Sequence, residues 1–254
     1  MKGVGIIGGS GYTGGELIRL VIHHPALKLD FVYSTTRAGK AVTSAHPDLL
    51  GSLNLNFTDT VNPDIDLLYL CLGHGNSRAF LENYSFSEKT IIIDLGNDFR
   101  LNDDREFEGK QFVYGLPELQ REEIEKATAI ANPGCFATCI QLGILPLAKA
   151  GNLPEVHVTA VTGSTGAGQR PTATSHFSWR NNNMSVYKAF DHQHLKEIGE
   201  SVAQLQAGFD APINFVPVRG DFPRGIMASI YVESDLSEEE ANKLFSAYYE
   251  NDTF

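Results

Sequence analysis

The first half of the chain predicts a doubly wound α/β sheet, and the second half a separate set of strands and helices in a different order. Three observations carry this prediction. The apolar run Val4-Gly5-Ile6-Ile7 stops at Gly8-Gly9-Ser10-Gly11, and Leu17, Ile18, Val21 and Ile22 then recur at helical spacing until Pro25: strand, glycine turn, helix. Leu67 to Leu72 and Thr90 to Asp94 are nearly continuous apolar runs, as strands of a parallel sheet covered on both faces are. Beyond Gly151 the alternation of strand and helix changes its rhythm.

Leu29 to Tyr33 follows the first helix as a second buried strand. Ala127 to Ala131 is another, and Asn132-Pro133-Gly134-Cys135 leads into an apolar helix from about Ala137 to Ala150. Val156 to Thr162 reads as a strand, followed by the small-residue loop Gly163 to Gly168 and a polar stretch rich in Asn and Ser. Leu195, Ile198, Val202 and Leu205 mark an amphipathic helix, while Ile213 to Val218 and Ile226 to Val232 read as strands. Ser237 with Glu240 is a capping-box start for a last helix. A domain boundary is expected between 138 and 152, and there is no internal repeat. The chain stops directly after the last helix without a closing element, as either a natural end or a shortened one.

With 42% hydrophobic and 20% charged residues, the 254-residue chain can bury one large core or two modest ones, and disorder is excluded. Its 31 acidic residues against 20 basic ones give a net charge of −11, and without a Lys/Arg run nucleic acid is not an expected partner. A small anionic substrate stays open, since a few donors and a helix N-terminus hold such a ligand. No apolar stretch of about 18 residues offers a membrane span. The three cysteines make no disulfide framework, and Met1 leads straight into a strand without a secretion signal, so a cytoplasmic location is expected.

Gly9-x-Gly11-x-x-Gly14 and Gly8-x-x-Gly11-x-x-Gly14 both fit a dinucleotide-binding turn between strand and helix. The chain there must turn tightly, approach a pyrophosphate without side chains, and aim a helix N-terminus at its charge. A turn shaped only by packing is the plain alternative. The end of the second strand reads Ser34-Thr35-Thr36-Arg37, with no acid to hold ribose hydroxyls. An arginine with hydroxyls suits a 2′-phosphate, so NADP is preferred over NAD, unless Arg37 is only a solvated surface residue.

Cys135 follows Asn-Pro-Gly and precedes a helix, whose dipole favours the thiolate of a group with a free pKa of about 8.5. It is either an activated nucleophile or a small buried hydrophobe. Cys71 and Cys139 read as core, and no nearby ligand set makes a metal site. His192-Gln193-His194 opens the amphipathic helix, and its histidines fit metal binding, acid/base work or mere solvation. His23, His24, His46, His157 and His176 read as solvated or capping.

Taken together, Gly-Gly-Ser-Gly-Tyr-Thr-Gly-Gly-Glu (8–16), Asp-Leu-Gly-Asn-Asp-Phe-Arg (94–100), Tyr-Gly-Leu-Pro-Glu (114–118), Asn-Pro-Gly-Cys-Phe-Ala-Thr (132–138) and His-Gln-His (192–194) carry a resemblance. In order along the chain, they resemble the N-acetyl-gamma-glutamyl-phosphate reductase family of arginine biosynthesis, a relative of aspartate-semialdehyde dehydrogenase. The resemblance implies a Rossmann domain over residues 1–138 and an α+β catalytic and dimerisation domain over 139–254, assembled as a homodimer or homotetramer. It implies NADPH-dependent reduction of a small-molecule acyl phosphate to a semialdehyde through a cysteine thioester.

Carried over position by position, the resemblance makes Cys135 the nucleophile and His192 the acid/base residue. Gly8, Ser10, Gly11, Tyr12, Thr13 and Gly14 become the cofactor turn, with Ser34 and Arg37 at the 2′-phosphate. Ser164, Gly166, Ala167 and Gly168 match a glycine-rich loop near the reaction centre, with Ser164 and Gly166 toward the cofactor and Gly168 toward the substrate; the alternative is a surface turn. Arg100, Asn132 and His194 fall on the substrate side, although Arg100 equally suits an ion pair with Asp98 or Glu118.

Two departures stand out. Gln193 replaces the family's arginine between the histidines, removing a positive charge where an anion binds. Family members also continue for several dozen residues, so a chain that ends at Phe254 is expected to hold cofactor poorly and to lose activity. The rival readings are the same chemistry on an N-succinyl or aspartyl phosphate, and a catalytically silent NADP-binding module. The Asp-Phe-Arg and Tyr-Gly-Leu-Pro-Glu segments favour the glutamyl substrate over the aspartyl one.

Overall fold

The computed structural model describes residues 1–253. They divide into two compact units, one of Met1–Gly115 with Glu122–Asn132, the other of Leu116–Arg121 with Pro133 onward. The sequence boundary at 138 lies inside a helix whose Phe136, Ala137 and Ile140 are fully or almost fully buried in the second unit's core.

In the first unit, β1 (Lys2–Ile7) leads through the glycine turn into α1 (Tyr12–Ile22) and on to β2 (Leu27–Tyr33). After them come β3 (Phe57–Thr58), β4 (Leu67–Leu70), α2 (Ser77–Asn83) and β5 (Ile91–Asp94). The short strands β6 (Glu106–Phe107) and β7 (Lys110–Gln111) pair as a hairpin before β8 (Val113–Tyr114), α3 (Pro117–Lys126) and β9 (Ala129–Ala131). Helix α3 is interrupted at Gln120, whose φ of −152° and ψ of 50° are not helical. The main sheet runs β3-β2-β1-β4-β5-β9-β8, and every pair in it is parallel.

Both faces of that sheet are covered, which is why its strands read as unbroken apolar runs. Ile6 and Val32 pack with Ile18 and Val21 of α1, while Ile7, Leu68 and Leu70 pack with Leu81 of α2 on the other side. Each such side chain contributes about 1.5–3 kcal/mol on burial, so these two layers dominate the unit's stability. The order reverses at β1, with β2 on one side and β4 on the other, and ligands of such sheets bind at the carboxyl ends of strands at this switch point. Gly8 follows directly on β1 there.

The second unit opens with α4 (Cys135–Lys149), which begins two residues earlier than the apolar periodicity suggests. Beyond it lie β10 (Val156–Thr162), α5 (Phe177–Arg180), β11 (Ser185–Val186), α6 (His194–Leu205), β12 (Ile213–Arg219), β13 (Ile226–Val232) and α7 (Glu238–Tyr248). The sheet order is β11-β12-β10-β13, with β10 parallel to β12 and antiparallel to β13. Strand β10 alternates, burying Val156, Val158 and Ala160 against Phe136, Ile140 and Ile144 of α4 and Ile198 and Val202 of α6. Its other face leaves Met227 and Tyr231 of β13 exposed at 65% and 67%.

Pro146 sits inside α4 and cannot donate to the Leu142 carbonyl four residues back. The Tyr249 hydroxyl donates to that carbonyl at 2.5 Å and so supplies the missing bond. Ser237 and Glu240 form the capping box foreseen for α7, with both reciprocal bonds present. No helix among the described residues is long and apolar enough to cross a membrane.

Candidate active site

The glycine turn after β1 has no room for side chains. Gly8 has φ 76°, and a Cβ on it would come 2.5 Å from the Cys71 carbonyl oxygen. A Cβ on Gly14 would come 2.6 Å from the Gly9 Cα. The turn is buttressed by His46, which is buried rather than solvated as its sequence setting suggested; its Nε2 donates to the Gly9 carbonyl at 2.8 Å. Gly11 caps α1 with no side-chain bond, and Tyr12 and Thr13 are exposed in the first turn. Uncapped first-turn N–H groups beside a side-chain-free loop suit a pyrophosphate.

At the end of β2, Ser34 is buried with its Oγ 3.2 Å from Ser10 Oγ and 3.4 Å from Thr36 Oγ1. The half-buried Arg37 closes this turn through its amide, which donates to the Ser34 carbonyl at 3.3 Å. Its guanidinium has no hydrogen bond or ion pair among the described residues. Hydroxyls and an uncommitted guanidinium thus stand together after the second strand, as a 2′-phosphate requires.

Elsewhere in this unit, Asp98 accepts the Gly75, Ser77 and Arg78 amides at 2.8, 3.0 and 3.1 Å and so starts α2. Arg100, 4% exposed, donates to the Asn132 carbonyl at 2.9 Å and the Leu95 carbonyl at 3.1 Å, fixing the backbone just beyond β9.

In the second unit, Gly134 caps α4 and Cys135 is its exposed first residue, where the helix dipole favours a thiolate. Gly134 is required: its amide donates to Glu197 Oε2 at 2.9 Å, and a Cβ on it would come 2.3 Å from His194 Nε2. Glu197 and His194 are 4% exposed, with His194 Nε2 3.9 Å from Glu197 Oε1. His194 therefore lies against the turn that carries the cysteine.

His192 is 5% exposed, its ring edge-on to Phe136, Phe215 and Tyr187 at centroid distances of 5.4, 5.5 and 5.8 Å. Burial, with Lys188 and then Arg219 nearby, pulls its pKa down to about 4, so the ring is neutral at pH 7. Its Nδ1 accepts the His194 amide at 3.2 Å, which leaves the proton on Nε2. By contrast, burial pushes the Cys71 thiol up to about 12, and burial also raises Cys139.

Ser164, Gly166 and Gly168 lie in the 3₁₀ turn after β10 and its end, and Gly168 has φ 77°. Ser164 donates its amide to the Phe222 carbonyl at 2.8 Å, tying this turn to the loop between β12 and β13. The first unit thus gathers the predicted turn residues with Ser34 and Arg37, and the second gathers Cys135, His192 and His194. Sequence reasoning missed Glu197, although the His194-x-x-Glu197 spacing on the buried face of α6 was a usable signal. Tyr187 and Arg219 have no local signal; only the pairing of β11 with β12 brings them near His192.

A doubly wound dinucleotide-type sheet, joined to a unit that begins with a cysteine at a helix N-terminus, defines a dehydrogenase of the semialdehyde dehydrogenase class. Residues 3–127 match the family described as Semialdehyde dehydrogenase, NAD binding domain, and residues 135–254 match Semialdehyde dehydrogenase, dimerisation domain. The chain is 59% identical over 255 residues to an N-acetyl-gamma-glutamyl-phosphate reductase of Flavobacterium johnsoniae, covering 100% of this chain and 78% of the relative. It is 54% identical over 252 residues to one of Bacteroides fragilis, covering 98% and 77%. The chain belongs to the N-acetyl-gamma-glutamyl-phosphate reductase family.

Two solved structures share its fold. Aspartate semialdehyde dehydrogenase II from Vibrio cholerae, complexed with ASA, gives a TM-score of 0.71 at 15% identity, covering 96% of this chain and 78% of that one. Aspartate semialdehyde dehydrogenase with NADP from Candida albicans gives 0.64 at 14%, covering 96% and 75%.

Proposed function

We infer that this protein reduces N-acetyl-L-glutamyl 5-phosphate to N-acetyl-L-glutamate 5-semialdehyde with NADPH, a step of arginine biosynthesis. The observation that carries the reading is Cys135, exposed on the first turn of α4 in a chain 59% identical to a reductase of that name.

The side-chain-free turn at Gly8, Gly11 and Gly14 and the uncapped start of α1 fit the pyrophosphate of NADP, and Arg37 with Ser34 fits the 2′-phosphate. When bound, NADPH supplies a hydride. The Cys135 thiolate attacks the acyl carbon, its C–O bond to phosphate breaks, and inorganic phosphate leaves, giving a thioester on Cys135. After hydride addition the sulfur carries a thiohemiacetal oxyanion. Collapse of that oxyanion breaks the C–S bond, releases the aldehyde and returns the thiolate, so no net proton is needed. His192 fits the role of donor to this oxyanion, because its neutral ring carries the proton on Nε2. Glu197 and His194 hold the Gly134 turn, and Arg100 holds Asn132, so both pairs position the loop before Cys135 rather than react.

The match to a dimerisation domain supports self-association, as a homodimer or a homotetramer. The outward sheet face bearing Met227, Tyr231 and Val186 is the apolar surface that such a contact would cover. A cytoplasmic location suits the three free thiols.

The test is the reverse reaction, reduction of NADP by N-acetylglutamate semialdehyde, run with and without phosphate and with Cys135→Ala. Turnover that needs both phosphate and Cys135 is expected in this chain or, where the residues beyond Phe254 are needed to hold the cofactor, in a version carrying a family-length tail. Its absence, also with N-succinyl and aspartyl substrates, overturns the reading and leaves a nucleotide-binding module.

A further inference from the structure

Gly15 is one glycine more than a dinucleotide turn needs. It follows Gly14 near the start of α1 and is buried, at a position where alanine would be the better helix former. What excludes alanine is a ring: a Cβ on Gly15 would come 2.5 Å from His46 Cε1 and 2.7 Å from His46 Nδ1. His46, 5% exposed, therefore lies directly against the backbone of α1, while its other nitrogen, Nε2, donates to the Gly9 carbonyl at 2.8 Å. One imidazole thus joins the helix to the turn that precedes it.

His46 is itself fixed by the segment between β2 and β3. That segment makes two 3₁₀ turns, Val42–Ser44 and Pro47–Leu49, with His46 between them. Val42 and Leu49, one on either side, are buried with Ile18 and Val21 of α1. The His46 amide donates to the Val42 carbonyl at 3.1 Å, and the His46 carbonyl accepts the Leu49 amide at 3.1 Å. Asp48 secures the segment from outside, its two carboxylate oxygens accepting from Arg19 of α1 at 2.7 and 2.9 Å. Packing alone would be served by any ring of that size, but the bond to Gly9 does something further. In a planar trans peptide the N–H points opposite to the C=O, so holding the Gly9 carbonyl on one side aims the Ser10 N–H out of the other.

We propose that His46 is a positioning residue for the cofactor's pyrophosphate: it sets the plane of the Gly9–Ser10 peptide in the binding turn, and Gly15 is the space kept for its ring. His46 acts through the turn rather than on the cofactor. The identity of the ligand rests on the NADP reading above, but the chemistry at Cys135 is not needed.

The experiment measures binding rather than turnover in wild type, His46→Gln, His46→Asn, His46→Phe and Gly15→Ala, using this chain or, if it holds NADP too weakly, a version carrying a family-length tail. Glutamine can place an amide nitrogen where Nε2 stands. Asparagine is too short to do so, and phenylalanine fills the space without a donor. Two probes are titrated by calorimetry: NADP, which carries the pyrophosphate, and adenosine 2′-phosphate, which lacks it. Loss of the orienting hydrogen bond should raise the NADP Kd about tenfold in His46→Phe, His46→Asn and Gly15→Ala, with adenosine 2′-phosphate staying within about twofold of wild type. His46→Gln should recover most of the affinity for NADP. A role in packing alone would lower the melting temperature and weaken both probes together. That pattern, or an NADP Kd equal to wild type in the variants without the donor, overturns the assignment; if His46→Phe does not fold, His46→Asn and Gly15→Ala decide it. Wild type that binds neither probe at either length would overturn the nucleotide site along with it. Wild type that binds NADP without turnover would sink the reductase reading alone, and the titrations would still decide the role of His46.

Discussion

Glu197 accepts the Gly134 amide at 2.9 Å, one residue ahead of Cys135, so a carboxylate on α6 sets the N-terminus of α4. Glu197→Ala leaves a buried N–H without its acceptor, at a cost of about 1–3 kcal/mol, whereas Glu197→Gln keeps a carbonyl oxygen in place. The alanine variant should melt several degrees lower and lose kcat more than it gains in KM, with glutamine close to wild type. Equal melting and equal kcat in all three proteins would contradict a positioning role.

Cys135 should be the thiol that reacts. It is exposed at a helix N-terminus, whereas burial holds the Cys71 pKa at about 12 and raises that of Cys139. Brief iodoacetamide treatment near pH 7.5, followed by peptide mass spectrometry, should place nearly all label on Cys135. Comparable labelling of Cys139 would show that the two ends of this helical turn are equally accessible.

Cofactor choice should depend on Arg37 and cofactor binding on Gly8. Loss of one charge-assisted contact costs about 1.5–3 kcal/mol, so Arg37→Ala should weaken NADP roughly 10- to 100-fold and leave NAD nearly unchanged. Gly8→Ala meets both a positive φ of 76° and the Cys71 carbonyl, and should weaken both nucleotides alike. Calorimetric titration with the two cofactors separates the cases, and equal loss of NAD and NADP in Arg37→Ala would refute the 2′-phosphate role.

The parts legible in the sequence were those whose signal is local. Val156 to Thr162 and Ile226 to Val232 match their strands residue for residue, because alternation and bounding turns mark them. Ser237 and Glu240 announced α7 because a capping box is contained in four residues. The two-residue strands β3 and β8 left no trace, since their pairing is decided by the neighbouring β2 and β9 and not by their own side chains. The site divides the same way. The glycine turn and Cys135 could be read directly, while His46 against Gly9 spans 37 positions and Arg219 over Tyr187 spans 32, which only the fold brings together.

Tyr249 should matter to α4 out of proportion to its place near the end of the chain. Its hydroxyl is the donor that answers the carbonyl left open by Pro146. Tyr249→Phe should cost about 0.5–1.5 kcal/mol in a denaturant titration, and Tyr249→Phe with Pro146→Ala should recover it, because alanine restores the backbone donor. A double variant no better than the single one would mean that the Leu142 carbonyl is satisfied otherwise.

His192 should leave a pH signature in stability as well as in rate. Its native pKa of about 4 lies below an unfolded value near 6.5, so between these values the unfolded chain binds a proton that the folded chain does not. The stabilisation from keeping the ring neutral is present above about pH 6.5 and is lost as pH falls toward 4, with an upper bound of about 3 kcal/mol. Carboxylates also titrate in the lower part of this window, so the quantity to measure is the difference between wild type and His192→Asn in urea midpoints from pH 7.5 down to 5. Wild type should lose more stability than the variant over that span. Parallel curves would mean that the ring takes up its proton equally in both states, and a neutral Nε2–H donor at the oxyanion would lose its physical basis.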